Sequence, residues 1–132
     1  MKITADTNVL VRAIVADDAK QARSAQEALA AAEVVAVTSI ALCEVVWVLS
    51  SGHRAARADI AVALQSLIAS ANVATDRPAV EAGLAMLEAG GDFADGVIAF
   101  EGATLGGETF VSFDKDAVKR LKKLGHDAMV LA

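Results

Sequence analysis

Five acids stand where a carboxylate has chemistry open to it: Asp6, Glu44, Asp92, Asp95 and Asp114. Asp92 and Asp95 lie three residues apart in GDFADGVIAFEGA (91–103), at the mouth of an apolar run of helix formers. Asp is a favoured N-cap, and acids in a first helical turn meet the positive end of the helix dipole. With Asp92 as N-cap, Asp95 falls at N3, in the manner of a capping box. The dipole there favours the ionised form of Asp95, the form a cation needs. Asp6 follows a short alternating segment and Asp114 a β-forming one, and each, taken alone, reads as a helix cap. Glu44 has no such reading. It is the lone charge in Ile40–Leu49, so it is expected to be partly buried. An unpaired buried carboxylate costs several kcal/mol or shifts its pKa, and no Lys or Arg lies within a helical turn of it. A distant Arg, water, or a metal shared with the other acids must compensate. Carboxylates gathered at one crevice repel, and a hard cation with oxygen ligands relieves that repulsion. Mg²⁺ or Mn²⁺ suits a site of few carboxylates plus waters. Such an ion generates hydroxide and braces a phosphoryl transition state.

The elements that must position these acids follow from pattern. Lys2–Ala5 reads as a strand, Asp6-Thr7-Asn8 as a turn, and Val9-Leu10-Val11 as a helix start. Asp18 with Gln21 resembles a capping box opening a helix over 18–33, and the β-branched run 34–37 is a buried strand. Thr38 or Ser39 caps a helix through Leu49 that ends near Ser50-Ser51-Gly52. Arg57–Ala69 is helical and 72–74 a short strand. Pro78 opens a helix over 78–89, closed by Gly90-Gly91. Asp92 begins the next helix, ended by Gly106-Gly107. A strand at 109–112, a helix over 114–124 and a closing strand within 126–131 complete the chain. Strands alternating with helices predict an α/β fold with a mainly parallel central sheet covered on both faces. The carboxyl ends of such strands line one crevice, where Asp6, Asp95 and Asp114 are expected to meet.

Composition narrows the functional classes. The 132 residues are 55% hydrophobic, which excludes disorder, and are read as one domain, 1–132. No apolar run is long enough to span a membrane, and Asp6 interrupts any secretory pattern at the N-terminus. One cysteine, Cys43, precludes an internal disulfide, suits a reducing cytoplasm and is expected as a small buried hydrophobe. His53 and His126 lie far apart in polar segments, against a His/Cys zinc site. Net charge is −5, against a protein that coats nucleic acid with a basic face. It leaves room for an enzyme acting on nucleic acid, because bound divalent cations reverse the local sign. Arg12, Arg54, Arg57 and Lys115 are the candidate RNA contacts at the crevice rim. High hydrophobicity with 22% charge points to exposed apolar helix surface, suited to a homodimer.

ADTNVLVR (5–12), TSIALCEVVWVL (38–49), DFADGVIAFEGA (92–103) and VSFDKDAVKRL (111–121) together resemble the PIN domain of VapC-type toxins, in the same order over nearly the whole chain. The resemblance implies an α/β/α sandwich and a Mg²⁺- or Mn²⁺-dependent endoribonuclease, typically a dimer, inhibited by a VapB-type antitoxin. Structured tRNA or ribosomal RNA is the substrate class it implies, cut by a metal-activated water. Residue by residue, the first acid matches Asp6, with Thr7 and Asn8 as polar support. The second matches Glu44, the third Asp95 rather than Asp92, and the fourth Asp114, with Ser112 in the Thr/Ser position of its motif. Asp6 and Asp95 would hold the main metal; Glu44 and Asp114 would complete the cluster. Gly96 stands where the family commonly has Ala, which is expected to weaken the helix by ~1 kcal/mol. Glu101 adds a charge to a helix that is often more apolar.

Three other readings compete. A receiver-like signalling domain also gathers acids and Mg²⁺ at strand ends, but needs a late Lys-Pro pair, and the sole proline is Pro78. A PIN scaffold that binds RNA or a partner without cutting is the closer alternative. A haloacid-dehalogenase-type phosphatase needs a second Asp that Asp6-Thr7-Asn8 lacks.

Overall fold

A computed structural model describes all residues, Met1–Ala132. The chain divides into two compact units, Met1–Asp76 and Arg77–Ala132.

The first unit is built on strand–helix crossovers. β1 (Lys2–Thr4) leads through α1 (Thr7–Val15) and α2 (Ala19–Ala31) to β2 (Val34–Ala36). β2 leads through α3 (Ser39–Trp47), a π-helical turn (Val48–Gly52) and α4 (Arg57–Ala69) to β3 (Val73–Ala74). The three strands form one parallel sheet in the order β1-β2-β3, with Ile3 opposite Val35 and Val35 opposite Val73. Central Val35 is fully buried, as the middle strand of a parallel sheet requires. Leu10, Leu42, Val45, Ile60 and Leu64 are also fully buried. The predicted N-caps are in place: Asp18 Oδ1 accepts from the amides of Lys20 and Gln21, and Thr38 Oγ1 from that of Ala41.

In the second unit, α5 (Arg77–Glu88) packs on α6 (Phe93–Thr104), and β4 (Phe110–Ser112), α7 (Lys115–Lys123) and β5 (Ala128–Val130) form a parallel β-α-β unit. Met86, Ala99, Ala117, Val118, Leu121 and Ala128 make its core, with Phe110 against it. A β-carbon on Gly83 would lie 2.6 Å from the fully buried ring of Phe93. One on Gly96 would run into the carbonyl oxygen of Ala82 and lie 2.9 Å from Gly83 Cα. These two glycines therefore set how closely α5 and α6 approach. The expected weakening of α6 by Gly96 is corrected accordingly: the local propensity cost is outweighed by a contact that no larger residue allows.

The strands lie in a three-stranded and a two-stranded sheet, and every pairing is parallel, as the α/β reading expects. Strands of two or three residues make only short ladders. The helix expected through Leu49 is α-helical only to Trp47; the π-helical turn carries the same run to Gly52, with the His53 amide bonded to the Val48 carbonyl at 3.1 Å.

Candidate active site

Asp6 is the N-cap of α1: its Oδ1 accepts from the amide of Val9 at 3.0 Å. The cap holds the exposed carboxylate in one orientation at the carboxyl end of β1. Thr7, the first residue of α1, turns its hydroxyl to Glu44 and donates to Oε2 at 3.2 Å. The first unit thus places Asp6, Thr7 and Glu44 around the start of α1. Asn8 is exposed beside them.

Glu44 is exposed, which corrects the expectation that it is partly buried. Ala41, Leu42, Val45 and Val46 form the inner face of α3, while Ile40, Glu44 and Trp47 share the outer face at helical spacing. That outer face is apolar on both sides of Glu44, so the sequence looked like a helix buried all round. Ile40 is 72% and Trp47 70% exposed. Solvent and the Thr7 hydroxyl supply the compensation that burial would have required. Cys43, expected in the core, is only half-buried at the border of the two faces.

In the second unit, Asp92 caps α6 through Oδ1, which accepts from the amide of Ala94 at 3.0 Å. The amide of Asp95 is taken by the main-chain carbonyl of Asp92, not by its side chain. Asp92 is therefore the cap of this helix, as the sequence reading expected, and no capping-box bond from Asp95 accompanies it. Asp95 is half-buried in the first turn of α6. Burial, then the charges of Asp92 and Asp114, push its carboxyl pKa up from the ordinary value. This corrects the expectation that the helix dipole would favour its ionised form: desolvation and two like charges outweigh the dipole.

Asp114 caps α7, its Oδ1 accepting from the amides of Asp116 at 3.0 Å and Ala117 at 3.1 Å. Ser112 Oγ in turn accepts from the Asp114 amide at 2.9 Å, which fixes the turn from β4 into α7. The Thr/Ser position of this motif is thus a main-chain clasp for the acid two residues on. Lys115 is exposed directly after Asp114.

The candidate RNA contacts are unequal. Arg12 Nη1 is engaged by Asp17 Oδ1 at 3.2 Å, so its charge is partly spent within the chain. Arg54 is exposed just past the π-helical turn with a left-handed backbone, φ 53. Arg57 is exposed at the start of α4.

Asp92, Asp95 and Asp114 are close enough to repel, yet in neither unit do three His, Cys, Asp or Glu side chains gather tightly enough to hold one ion. The donors are all carboxylate oxygens, the set a hard divalent cation prefers. A depression of about 490 Å³, lined by Thr109, Lys122, His126 and Asp127 among others, lies at the amino ends of β4 and β5. Asp114 follows the carboxyl end of β4, so that hollow is not the acid site.

Parallel strands joined by helices, with an acid capping the helix that follows β1 and the helix that follows β4, make an α/β domain. The chain belongs to the PIN domain family, whose model matches residues 3–124. PIN domains are in general metal-dependent nucleases. No curated protein and no solved structure matches the chain. No helix is long and apolar enough to cross a membrane.

Proposed function

We propose that this PIN domain is a Mg²⁺- or Mn²⁺-dependent endoribonuclease, the toxin of a VapBC-type toxin–antitoxin pair working in the cytoplasm. The observation that carries the reading is Asp95. It is half-buried in the first turn of α6, near the like charges of Asp92 and Asp114, so keeping its carboxyl ionised there is costly. A divalent cation offsets such a cost, and Asp6, Glu44, Asp95 and Asp114 are the residues proposed to hold it. When bound, the cation supplies the charge that acidifies water and balances the phosphate oxygens. The chain's own residues do the rest. Thr7 orients Glu44, Ser112 clasps the Asp114 turn, and Asp92 sets the start of α6. Arg54, Arg57 and Lys115 are the proposed contacts to RNA phosphates. Water adds at phosphorus and the P–O bond to the leaving ribose oxygen breaks. Structured tRNA or ribosomal RNA is the substrate class carried over from the toxin resemblance.

Ile40 and Trp47, exposed on α3, support a homodimer and an antitoxin groove. Light scattering tests the dimer, and a monomer at high micromolar concentration ends that part of the proposal. The second reading is a PIN scaffold that binds RNA or a partner without cutting. Incubation of structured RNA with the purified chain decides between them. Cleavage is expected with Mg²⁺ or Mn²⁺ and none in EDTA or with Asp95→Asn. Full activity in EDTA sinks the metal mechanism; no new RNA ends under any condition, including induced expression, leaves the scaffold.

A further inference from the structure

Arg120 stands apart on α7. Lys115, Lys119, Lys122 and Lys123 on the same helix are exposed, whereas Arg120 is half-buried beside the core residue Leu121. Its Nη1 donates to the carbonyl of Ala89. That carbonyl belongs to the corner where α5 ends. The amide of Gly90 bonds Leu87 O at 3.1 Å, and that of Gly91 bonds Met86 O at 2.8 Å, with Gly90 left-handed at φ 90. This is a Schellman closure, and it provides no helical amide for the Ala89 carbonyl. The guanidinium supplies that donor. Contact is close along the whole side chain: a β-carbon on Gly90 would lie 2.8 Å from Nη1, and one on Gly91 3.0 Å from Cδ.

The clamped corner leads straight into Asp92 and the first turn of α6, where Asp95 sits. The helix that clamps it begins at Asp114. Arg120 lies six positions beyond Asp114, roughly 9 Å along the axis. One rigid rod therefore carries an acid at one end and, further along, the grip on the other two.

We propose that Arg120 is a positioning residue: by holding the α5–α6 corner against α7 it sets the separation of Asp95 from Asp114, and so the affinity of this acid pair for a divalent cation. Its consequence for metal rests on the nuclease reading above; its consequence for the corner does not. A lysine would keep the charge but lose the planar fork and the stem contact, so the two cations are not equivalent here.

The test uses the full chain with Arg120→Met, Arg120→Lys and, as a control on an exposed neighbour, Lys119→Met. Mn²⁺ binding is followed by electron paramagnetic resonance, cleavage at varied Mn²⁺, and amide hydrogen exchange at Gly91 and Ala94. Arg120→Met is expected to bind Mn²⁺ about tenfold more weakly, the scale of losing a group that orients a ligand. Cleavage should recover at high Mn²⁺, Arg120→Lys should fall between, and Lys119→Met should match the parent. Parent-like Mn²⁺ binding in Arg120→Met overturns the proposal. Should Arg120→Met fail to fold, Arg120→Lys decides in the same way: weaker binding supports the clamp and parent-like binding overturns it. Should the parent itself bind no Mn²⁺, the nuclease reading fails. The clamp is then judged by exchange alone: at least about tenfold faster at Gly91 and Ala94 supports it, and unchanged rates overturn it.

Discussion

The hydroxyl of Thr7 donates to Oε2 of Glu44 across 3.2 Å, joining residues 37 apart in sequence. It ties the start of α1, which Asp6 caps, to the outer face of α3. Because Glu44 is exposed, its charge costs the fold little. Glu44→Gln should change stability by no more than about 0.5 kcal/mol, as surface substitutions do, while cleavage is lost. Thr7→Val should lower cleavage by about 10–100-fold, the usual effect of removing a group that orients a ligand. Melting curves and RNA cleavage read both. A strongly destabilised Glu44→Gln would show a structural role instead.

Asp95 gives stability a pH dependence of definite sign. Its folded pKa is raised above the ordinary 3.8 by burial, Asp92 and Asp114. Between the two pKa values the folded state holds more protons than the unfolded one, so stability falls as pH rises through the folded value. Below the unfolded value the penalty is absent. Metal-free Asp95→Asn should therefore melt above the parent at neutral pH, with the gap closing as pH drops toward 3.8. A gap that is absent at neutral pH, or that widens on acidification, contradicts the assignment.

Asp92 and Asp95 should separate on substitution. Asp92 caps α6 through the Ala94 amide, so Asp92→Ala should cost roughly 0.5–2 kcal/mol and leave much of the cleavage. Asp95→Asn should abolish cleavage with the fold intact. Denaturant titrations paired with cleavage assays compare them, and the reverse pattern means the two roles are exchanged.

Gly96→Ala tests packing against propensity. In an open helix the change would stabilise by up to ~1 kcal/mol. Here the new methyl meets the Ala82 carbonyl and Gly83 Cα, so a loss of about 1–3 kcal/mol is expected, the scale of overpacking. A higher melting temperature would show that α5 and α6 part without cost.

What could be read from the chain was what local chemistry decides. Asp6, Asp18, Thr38, Asp92 and Asp114 cap helices because a short side-chain oxygen reaches amides two or three residues on, a relation written in adjacent positions. The β-branched run before Thr38 and the alternation of strands with helices gave the parallel α/β pattern by the same local rules. The cap at Asp92 was legible for that reason too, whereas the capping box expected with Asp95 at N3 did not form.

What only the tertiary structure decided concerns faces and approaches. Pattern shows that α3 is apolar, but not which of its faces is left uncovered, so Glu44 and Cys43 were placed too deep. The pKa of Asp95 depends on Asp114, nineteen positions away by numbering, and on the packing that desolvates it. Gly96 has a purpose only once α5 lies against it, and Arg120 only once the Ala89 carbonyl is left over beside it. Each of these is a distance between segments remote in sequence. Helix propensity and capping act within a turn or so of chain; desolvation, charge repulsion and van der Waals contact act through space, and the fold alone sets those separations.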